Sequence, residues 1–182
     1  MRVQQTKKKM FGFTMVELMV VVTIISMLAG VLYLNFNDIR AESRDQVRQN
    51  TLLEMQLALE VYKAQYEVYP EAGCSATGWV GPGLLGTFGT QCNAYIVGLA
   101  PDFISALPVD PIQDGTVERG YVYQVNSSRS AYKLMSYQTA ETDLVTSYDH
   151  DFSRCPSNLG ANCGSTPQTE TYAVYSFGAE DF

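Results

Sequence analysis

The feature that most constrains this chain is an apolar run over residues 13–36, which follows a short basic segment containing three consecutive lysines. The run is 24 residues long, and its single charged residue is Glu17. A helix of about 20 apolar residues is long enough to cross the hydrocarbon core of a membrane. The run therefore predicts a membrane-spanning helix. The lysines at positions 7–9 place the preceding segment in the cytoplasm by the positive-inside rule, so the rest of the chain is expected outside.

Glu17 is unusual in such a run, because a charged side chain in a membrane helix costs about 2.5–3.5 kcal/mol on insertion scales. Residues of this kind usually have a specific partner, and the expected partner of an acid is a cation. Cleavage after Gly12 would supply one, since it creates a new α-amino group on Phe13. That amine is too close to Glu17 on one helix for easy pairing, so it is expected to meet the acid of a neighbouring copy in a filament.

The basic leader, Gly12, Phe13, Thr14 and Glu17, followed by an apolar helix, resemble the processing site of type IV prepilins and type II secretion pseudopilins. The resemblance implies that a prepilin peptidase cleaves after Gly12 and methylates Phe13. It also implies that Glu17 acts in filament assembly, and that a separate assembly platform and motor extract the subunits from the inner membrane. An ordinary secretory signal fits less well, because its apolar core is about 7–15 residues and precedes a small-residue cleavage site. An uncleaved membrane anchor leaves Glu17 unexplained.

Further segments resemble the same family. Residues 107–111 match its Leu-Pro-x-Asp-Pro turn, and residues 176–180 are similar to the Ser-x-Gly-Ala-Asp segment of pseudopilins. The implied fold is α+β and pilin-like, with a long N-terminal helix packed on a small antiparallel sheet. The calcium-binding tail of major pseudopilins continues beyond that segment, whereas this chain stops at residue 182, so no metal site and no cofactor are expected. Three acids nonetheless offer oxygen ligands suited to a hard cation: Asp110, Asp114 and Glu118.

Four parts are expected along the chain: a cytoplasmic leader at 1–12, a transmembrane and filament-core helix at 13–36, its amphipathic continuation at 37–69, and an extracytoplasmic globular domain at 70–182. Residues 37–69 contain neither glycine nor proline. Pro70 is expected to end the helix at Tyr69, because the residue before proline is pushed out of the α region. The predicted apolar face has residues at helical spacing: Leu52, Met55, Leu59, Tyr62 and Tyr66, widened by Leu53, Leu57 and Val61.

The globular part predicts three strands from its β-branched and aromatic content, at residues 121–125, 131–137 and 172–177, the first two joined as a hairpin. The glycine-rich segment at 73–92 predicts an ordered loop. The four cysteines of an exported domain indicate a disulfide framework, for which three connectivities are possible. Local pairs, Cys74 with Cys92 and Cys155 with Cys163, are favoured because each closes a loop rich in turn-forming residues. Zinc fits poorly, since the chain has no Cys-x-x-Cys and only one histidine.

Charges over residues 38–48 are sorted around the predicted helix. Three acids fall on one side, namely Asp38, Glu42 and Asp45, and three arginines fall on a roughly opposite side, namely Arg40, Arg44 and Arg48. Two interpretations stay open. The stripes are contacts between neighbouring helices, in which Arg40, Glu42 and Arg44 serve filament assembly, or they form a solvated surface, where exposed pairs add only about 0–1 kcal/mol each.

The charge balance and the missing motifs exclude several functions. The leader carries four basic residues and no acid, so its removal leaves 8 basic and 19 acidic residues, a net charge of −11. Such a surface argues against nucleic-acid binding. No nucleophile elbow, phosphate loop or second histidine supports catalysis, so the protein is not expected to be an enzyme.

The sequence therefore predicts a structural subunit of a homopolymeric type IV pilus or pilus-like filament, stored in the cytoplasmic membrane and then displayed outside the cell. The alternatives are a type II secretion pseudopilin, a minor pilin at the filament tip, and a membrane-tethered extracytoplasmic binding domain.

Overall fold

A computed structural model describes residues 12–83, 85–156, 167–180 and 182, with the backbone alone for residues 31–35. The chain divides into two compact units, Met1–Ile39 and Arg40–Phe182. The second unit holds all the strands described below. It is an α+β fold of an N-terminal helix on a small sheet, as the sequence predicts, and is consistent with a pilin-like architecture.

One long helix, α1 (Met15–Tyr66), accounts for the whole helical prediction. Its last residue, Tyr66, is followed by Glu67, whose φ of 64° is left-handed and whose N–H donates to the Lys63 carbonyl at 2.7 Å. This geometry satisfies a terminal carbonyl of the helix. The predicted end at Tyr69 is wrong by three residues, because a glutamate in a left-handed cap gives no signal in the sequence.

In the first unit the large apolar side chains of α1 that the structure describes are exposed. They include Val16, Leu18, Met19, Ile24, Ile25 and Leu28. Within the residues that the structure describes, no helix meets the length and apolarity needed to cross a membrane.

The second unit contains a five-stranded sheet in the order β2-β1-β3-β4-β5. The strands are β1 (Val80–Gly81), β2 (Thr90–Gln91), β3 (Gly120–Val125), β4 (Tyr132–Tyr137) and β5 (Tyr172–Tyr175). The three predicted strands and the β3–β4 hairpin are confirmed, with Gly120 opposite Tyr137 and Val125 opposite Tyr132. The short strands β1 and β2 were not predicted, and their parallel pairing makes the sheet mixed rather than purely antiparallel. Two-residue strands are too short to show an alternating pattern.

Both faces of the sheet are covered. Alternate strand residues such as Tyr123, Leu134 and Val174 pack with Leu52 and Leu59 of α1 in the main core. Residues of the opposite parity pack in a second cluster beneath the glycine-rich segment: Val122, Met135 and Ala173 with Trp79 and Leu85. The helix residues expected to widen the apolar face behave differently, because Leu53, Leu57 and Val61 are 49%, 67% and 49% exposed. The buried face of α1 is therefore narrower than predicted.

A disulfide between Cys74 and Cys92 closes the glycine-rich segment, as predicted, over a sequence separation of 18 residues. Cys74 adopts a left-handed φ of 53°, and the Cys92 N–H donates to the Gly81 carbonyl at 2.7 Å, which ties the bridge to β1. Cys155 is also disulfide-bonded. Its predicted partner, Cys163, lies outside the described residues, so that pairing stays a prediction.

Replacing both Cys74 and Cys92 by serine is expected to lower the free energy of unfolding by about 3 kcal/mol, because the unfolded chain regains the entropy of an open loop of this length. Denaturant unfolding followed by fluorescence measures the change directly, since the single tryptophan, Trp79, lies inside that loop. A loss below about 0.5 kcal/mol would show that packing alone holds the segment.

Candidate functional site

The predicted cleavage site lies in open, non-helical backbone at the start of the described chain. Gly12 and Phe13 precede the first helical residue, Met15. No described atom beyond the adjacent residues comes within 4 Å of where a side chain on Gly12 would begin, and Phe13 is 84% exposed. None of the described residues therefore covers the Gly12–Phe13 peptide bond.

Thr14 and Glu17 form a reciprocal cap on the first turn of α1. The Thr14 N–H and hydroxyl both donate to Glu17 Oε2, at 2.9 and 2.8 Å. The Glu17 N–H donates to Thr14 Oγ1 at 3.2 Å. This is the capping-box arrangement, which satisfies two of the unpaired N–H groups at a helix start and stabilises the helix by about 0.5–2 kcal/mol. Cleavage after Gly12 would leave both partners in place.

This local role of Glu17 was not predicted beside its intermolecular one, although the Thr-x-x-Glu spacing carries the signal. Both hydrogen bonds from Thr14 reach Oε2. Among the described residues, no hydrogen bond reaches Oε1. The cap therefore leaves one carboxylate oxygen able to accept a donor from another molecule.

The charged part of α1 forms a buried ion network inside the second unit. Arg48 is fully buried, and its guanidinium holds the carboxylate of Asp110 through two nitrogens, Nε at 2.7 Å and Nη2 at 3.2 Å. Its Nη1 donates to Asp45 Oδ1 at 2.8 Å and to Glu141 Oε1 at 2.7 Å. Arg44 also holds Glu141, with its Nε 2.8 Å from Oε1. Such charge-assisted, two-nitrogen contacts are the strong ones among protein hydrogen bonds.

Asp45 fixes a loop as well as a side chain. Its Oδ2 accepts the backbone N–H groups of Glu141, Thr142 and Asp143 at 2.9, 2.7 and 3.2 Å, and the Thr142 hydroxyl at 3.0 Å. With the Arg48–Asp110 contact, the network joins three segments: α1, the proline-flanked turn at 107–111, and the loop that follows β4. These carboxylates and arginines therefore tie the three segments of the second unit to one another.

The predicted sorting of charges is wrong for Asp45 and Arg48, which contact each other three residues apart on the helix. Arg44 contacts Glu141 of the same chain. Its charge is therefore paired within the subunit, which neither the solvated-surface interpretation nor the intermolecular one predicted. Arg40 and Glu42 are exposed, and their role in assembly stays a prediction. The sequence gives no signal for these partners, since Asp110 and Glu141 lie 62 and 93 residues from Arg48.

The pKa values in the network follow from these contacts. Burial alone would raise the pKa of Asp45, but the N–H groups of Thr142, Glu141 and Asp143 hold it below its usual value. The Arg44 guanidinium lowers the pKa of Glu141, with a further contribution from Arg48. Both carboxylates are therefore ionised in the folded protein at pH values where an unfolded chain would begin to protonate them.

The three acids that offer oxygen ligands for a hard cation are not brought together. Asp110 is occupied by Arg48, and Asp114 accepts the Thr116 N–H at 2.9 Å and its hydroxyl at 2.8 Å. Glu118 lies beside Gly86. Within the described residues, no cluster of three or more histidine, cysteine, aspartate or glutamate side chains could hold a metal ion.

Replacing Arg48 by methionine is expected to lower the free energy of unfolding by about 3–5 kcal/mol at pH 7, because it leaves buried carboxylates without their cation. The wild-type protein should also lose stability as the pH falls below about 5, since the folded pKa values of Asp45 and Glu141 lie below the unfolded ones. That pH dependence should be shallower in Arg48→Met.

Thermal unfolding between pH 3 and pH 8 checks both effects. Arg40→Met is the matched control, because it removes an exposed arginine from the same helix. An equal loss of stability in the two variants would mean that the buried network adds nothing specific.

Comparison with known protein families gives a match that lies at the N-terminus. Residues 7–33 match the model of the prokaryotic N-terminal methylation motif, which covers part of the leader, the predicted cleavage site and the first turns of α1. Neither the characterised proteins nor the solved structures give a significant match to this chain. The chain thus carries the signature of type IV pilins and pseudopilins at the start of an α+β protein.

Proposed function

We propose that this protein is a structural subunit that polymerises into a type IV pilus or pilus-like filament after cleavage between Gly12 and Phe13. The observation that carries the proposal is the match of residues 7–33 to the N-terminal methylation motif. The accessible, non-helical backbone at Gly12 supports it, because a peptidase needs an extended, unobstructed segment. The exposed apolar surface of the first unit adds support, since so large a surface needs a bilayer or neighbouring subunits to cover it.

The proposed sequence of events follows from the motif. The precursor is stored in the inner membrane with its leader in the cytoplasm, and prepilin peptidase removes residues 1–12 and methylates the new amine on Phe13. An assembly platform and motor then move the subunit into the filament. No catalytic step is assigned to this chain itself.

Glu17 is proposed to pair with the Phe13 amine of a neighbouring subunit. Its Oε2 is engaged by Thr14, whereas Oε1 makes no hydrogen bond among the described residues. In an apolar bundle an ionised carboxylate needs a charged partner, because burying it alone costs several kcal/mol. The cap thus stabilises the acid before assembly and leaves an oxygen for the amine after it.

A type II secretion pseudopilin is the second candidate, because the motif is common to both classes and residues 176–179 form the tight turn of the pseudopilin-like segment. The disulfide-closed segment at 74–92 favours the pilin. Location separates the two: a pilus is recovered by shearing cells, whereas a pseudopilus stays in the periplasm and its loss blocks secretion.

Replacing Gly12 by valine is expected to abolish processing, because the peptidase of this class cuts after glycine and a branched side chain would block the bond. The intact mass of the protein should then include residues 1–12, and fibres should be absent. Gly30→Val is the control, since Gly30 lies inside the apolar helix with open space around it and its variant should be processed normally. A Gly12→Val protein of normal shortened mass would overturn the proposal.

Replacing Glu17 by valine is expected to leave processing intact and to reduce fibre yield at least tenfold, because one member of a buried ion pair is lost. The change also removes the helix cap, so Thr14→Val serves as the matched control: it loses the cap but keeps the acid. Fibre yield by shearing and immunoblot compares the two. If Thr14→Val assembles as poorly as Glu17→Val, the acid acts through the cap and the proposed pairing is wrong.

A further inference from the structure

Phe177 is the most exposed large apolar side chain that the structure describes, at 96%. Its backbone is nevertheless fixed. The Ser176 N–H donates to the Tyr132 carbonyl at 3.0 Å, and the Tyr132 N–H donates to Ser176 Oγ at 2.9 Å. The Ala179 N–H closes the turn on the Ser176 carbonyl at 3.2 Å, with Gly178 at a φ of 87°. A phenyl ring is thus held out in solvent by an ordered turn.

An apolar groove of about 530 Å³ lies elsewhere in the same unit. It begins at Pro82, directly after β1, and its apolar lining consists mainly of Pro82, Ala94, Ile96, Val97, Leu107 and Val109. Val97 and Val109 are 48% and 55% exposed, so the groove opens to solvent.

Hydrogen bonds within the single subunit hold both walls of the groove in place. One wall is formed by residues 93–100 and the other by Leu107 and Val109. The Val97 N–H donates to the Glu71 carbonyl at 3.0 Å, and the Tyr95 hydroxyl donates to the Pro108 carbonyl at 3.0 Å. The Cys74–Cys92 disulfide fixes the chain immediately before this wall. Two ordered surfaces lose little conformational entropy on association, which favours binding between them.

Phe177 and the groove lie at different ends of the sheet, so a contact between them requires a second copy of this chain. Phe177 follows β5, at one edge of the sheet, whereas the groove starts at β1, which has only β2 beyond it. Three strand spacings, about 14 Å, separate β1 from β5. A phenylalanine side chain cannot reach its own groove across that distance. A contact from one edge to the opposite edge is heterologous, so each added copy leaves one ring and one groove open, and the assembly can grow.

We infer that Phe177 of each subunit inserts into the groove around Val97 and Val109 of the next, as a contact between globular units in the filament. The inference rests on the proposed function, since it specifies one contact of that polymer. Burying one phenylalanine strengthens a contact about ten- to a hundredfold. The contact would therefore add to the packing of the helices without replacing it.

Site-specific photo-crosslinking tests the contact in full-length protein assembled by cells that lack the unmodified chain. p-Benzoylphenylalanine replaces Phe177, and heavy and light isotope-labelled subunits are mixed so that links between copies are recognised by mass. The expected product joins position 177 of one copy to a peptide within residues 93–109 of another. A link to any other peptide, or a link within one copy only, overturns the inference.

Substitution gives a second measurement, because benzophenone is larger than a phenyl ring. Phe177→Ser and Val97→Asp are each expected to reduce fibre yield about tenfold or more, and the double variant should be no worse than either alone, since both remove the same contact. Val117→Ser is the matched control, because Val117 is 42% exposed but lies outside the groove.

Normal fibre yields from Phe177→Ser and Val97→Asp would refute this contact while leaving the filament proposal intact. Processed wild-type protein that forms no fibre or pseudopilus would refute the proposed function itself, and the inference with it. The two failures are therefore distinguishable.

Discussion

The buried guanidinium of Arg48 is the interaction on which the arrangement of the second unit depends. Three carboxylates converge on it from α1, from the turn at 107–111 and from the loop after β4. Removing an ion from water costs several kcal/mol, and the cost is recovered only when all the partners are in place. Apolar packing of α1 on the sheet supplies the larger driving force but tolerates sliding. The network therefore fixes the position of α1 along the sheet, because only one placement of the helix pairs every charge.

One helix carries two different surface chemistries. Before residue 30 its large side chains are apolar and exposed in the single chain, with Thr14 and Glu17 capping its start. After residue 40 the same helix has a narrow buried face, an ion network and an exposed apolar line at Leu53, Leu57 and Val61. A monomer in water leaves much apolar surface uncovered, which is unfavourable by about 25 cal/mol per Å². The exposed apolar surface is therefore unfavourable for a single subunit in water, which supports the proposal that a bilayer or a polymer covers it.

Local patterns predicted most of the fold. The uninterrupted helix, the three longer strands, the hairpin and the Cys74–Cys92 pair all follow from spacing and residue type, because each is decided by neighbours in the sequence. What could not be predicted depends on distant residues. Asp110 and Glu141 become partners of Arg48 only after folding. The two-residue strands likewise depend on their neighbours, because β1 pairs with the edge of β3 and β2 then pairs with β1. The capping of Glu17 by Thr14 is the exception, because its donor lies only three residues away and the Thr-x-x-Glu spacing already indicates it.

The disulfide and the ion network fix different segments of the second unit. Both segments border the groove that is proposed to contact a neighbouring subunit. The Cys74–Cys92 bridge fixes the segment that leads into the Val97 groove, whereas Asp45 and Arg48 fix the loop after β4 and the turn at 107–111. Leu107 and Val109, on the far side of the groove, belong to that turn, so the disulfide and the ion network each hold one wall. Surface loops are normally the most mobile part of a domain and lose entropy when they bind. Here that entropy is lost during folding, before any neighbour arrives, which leaves a groove already shaped for a rigid ring.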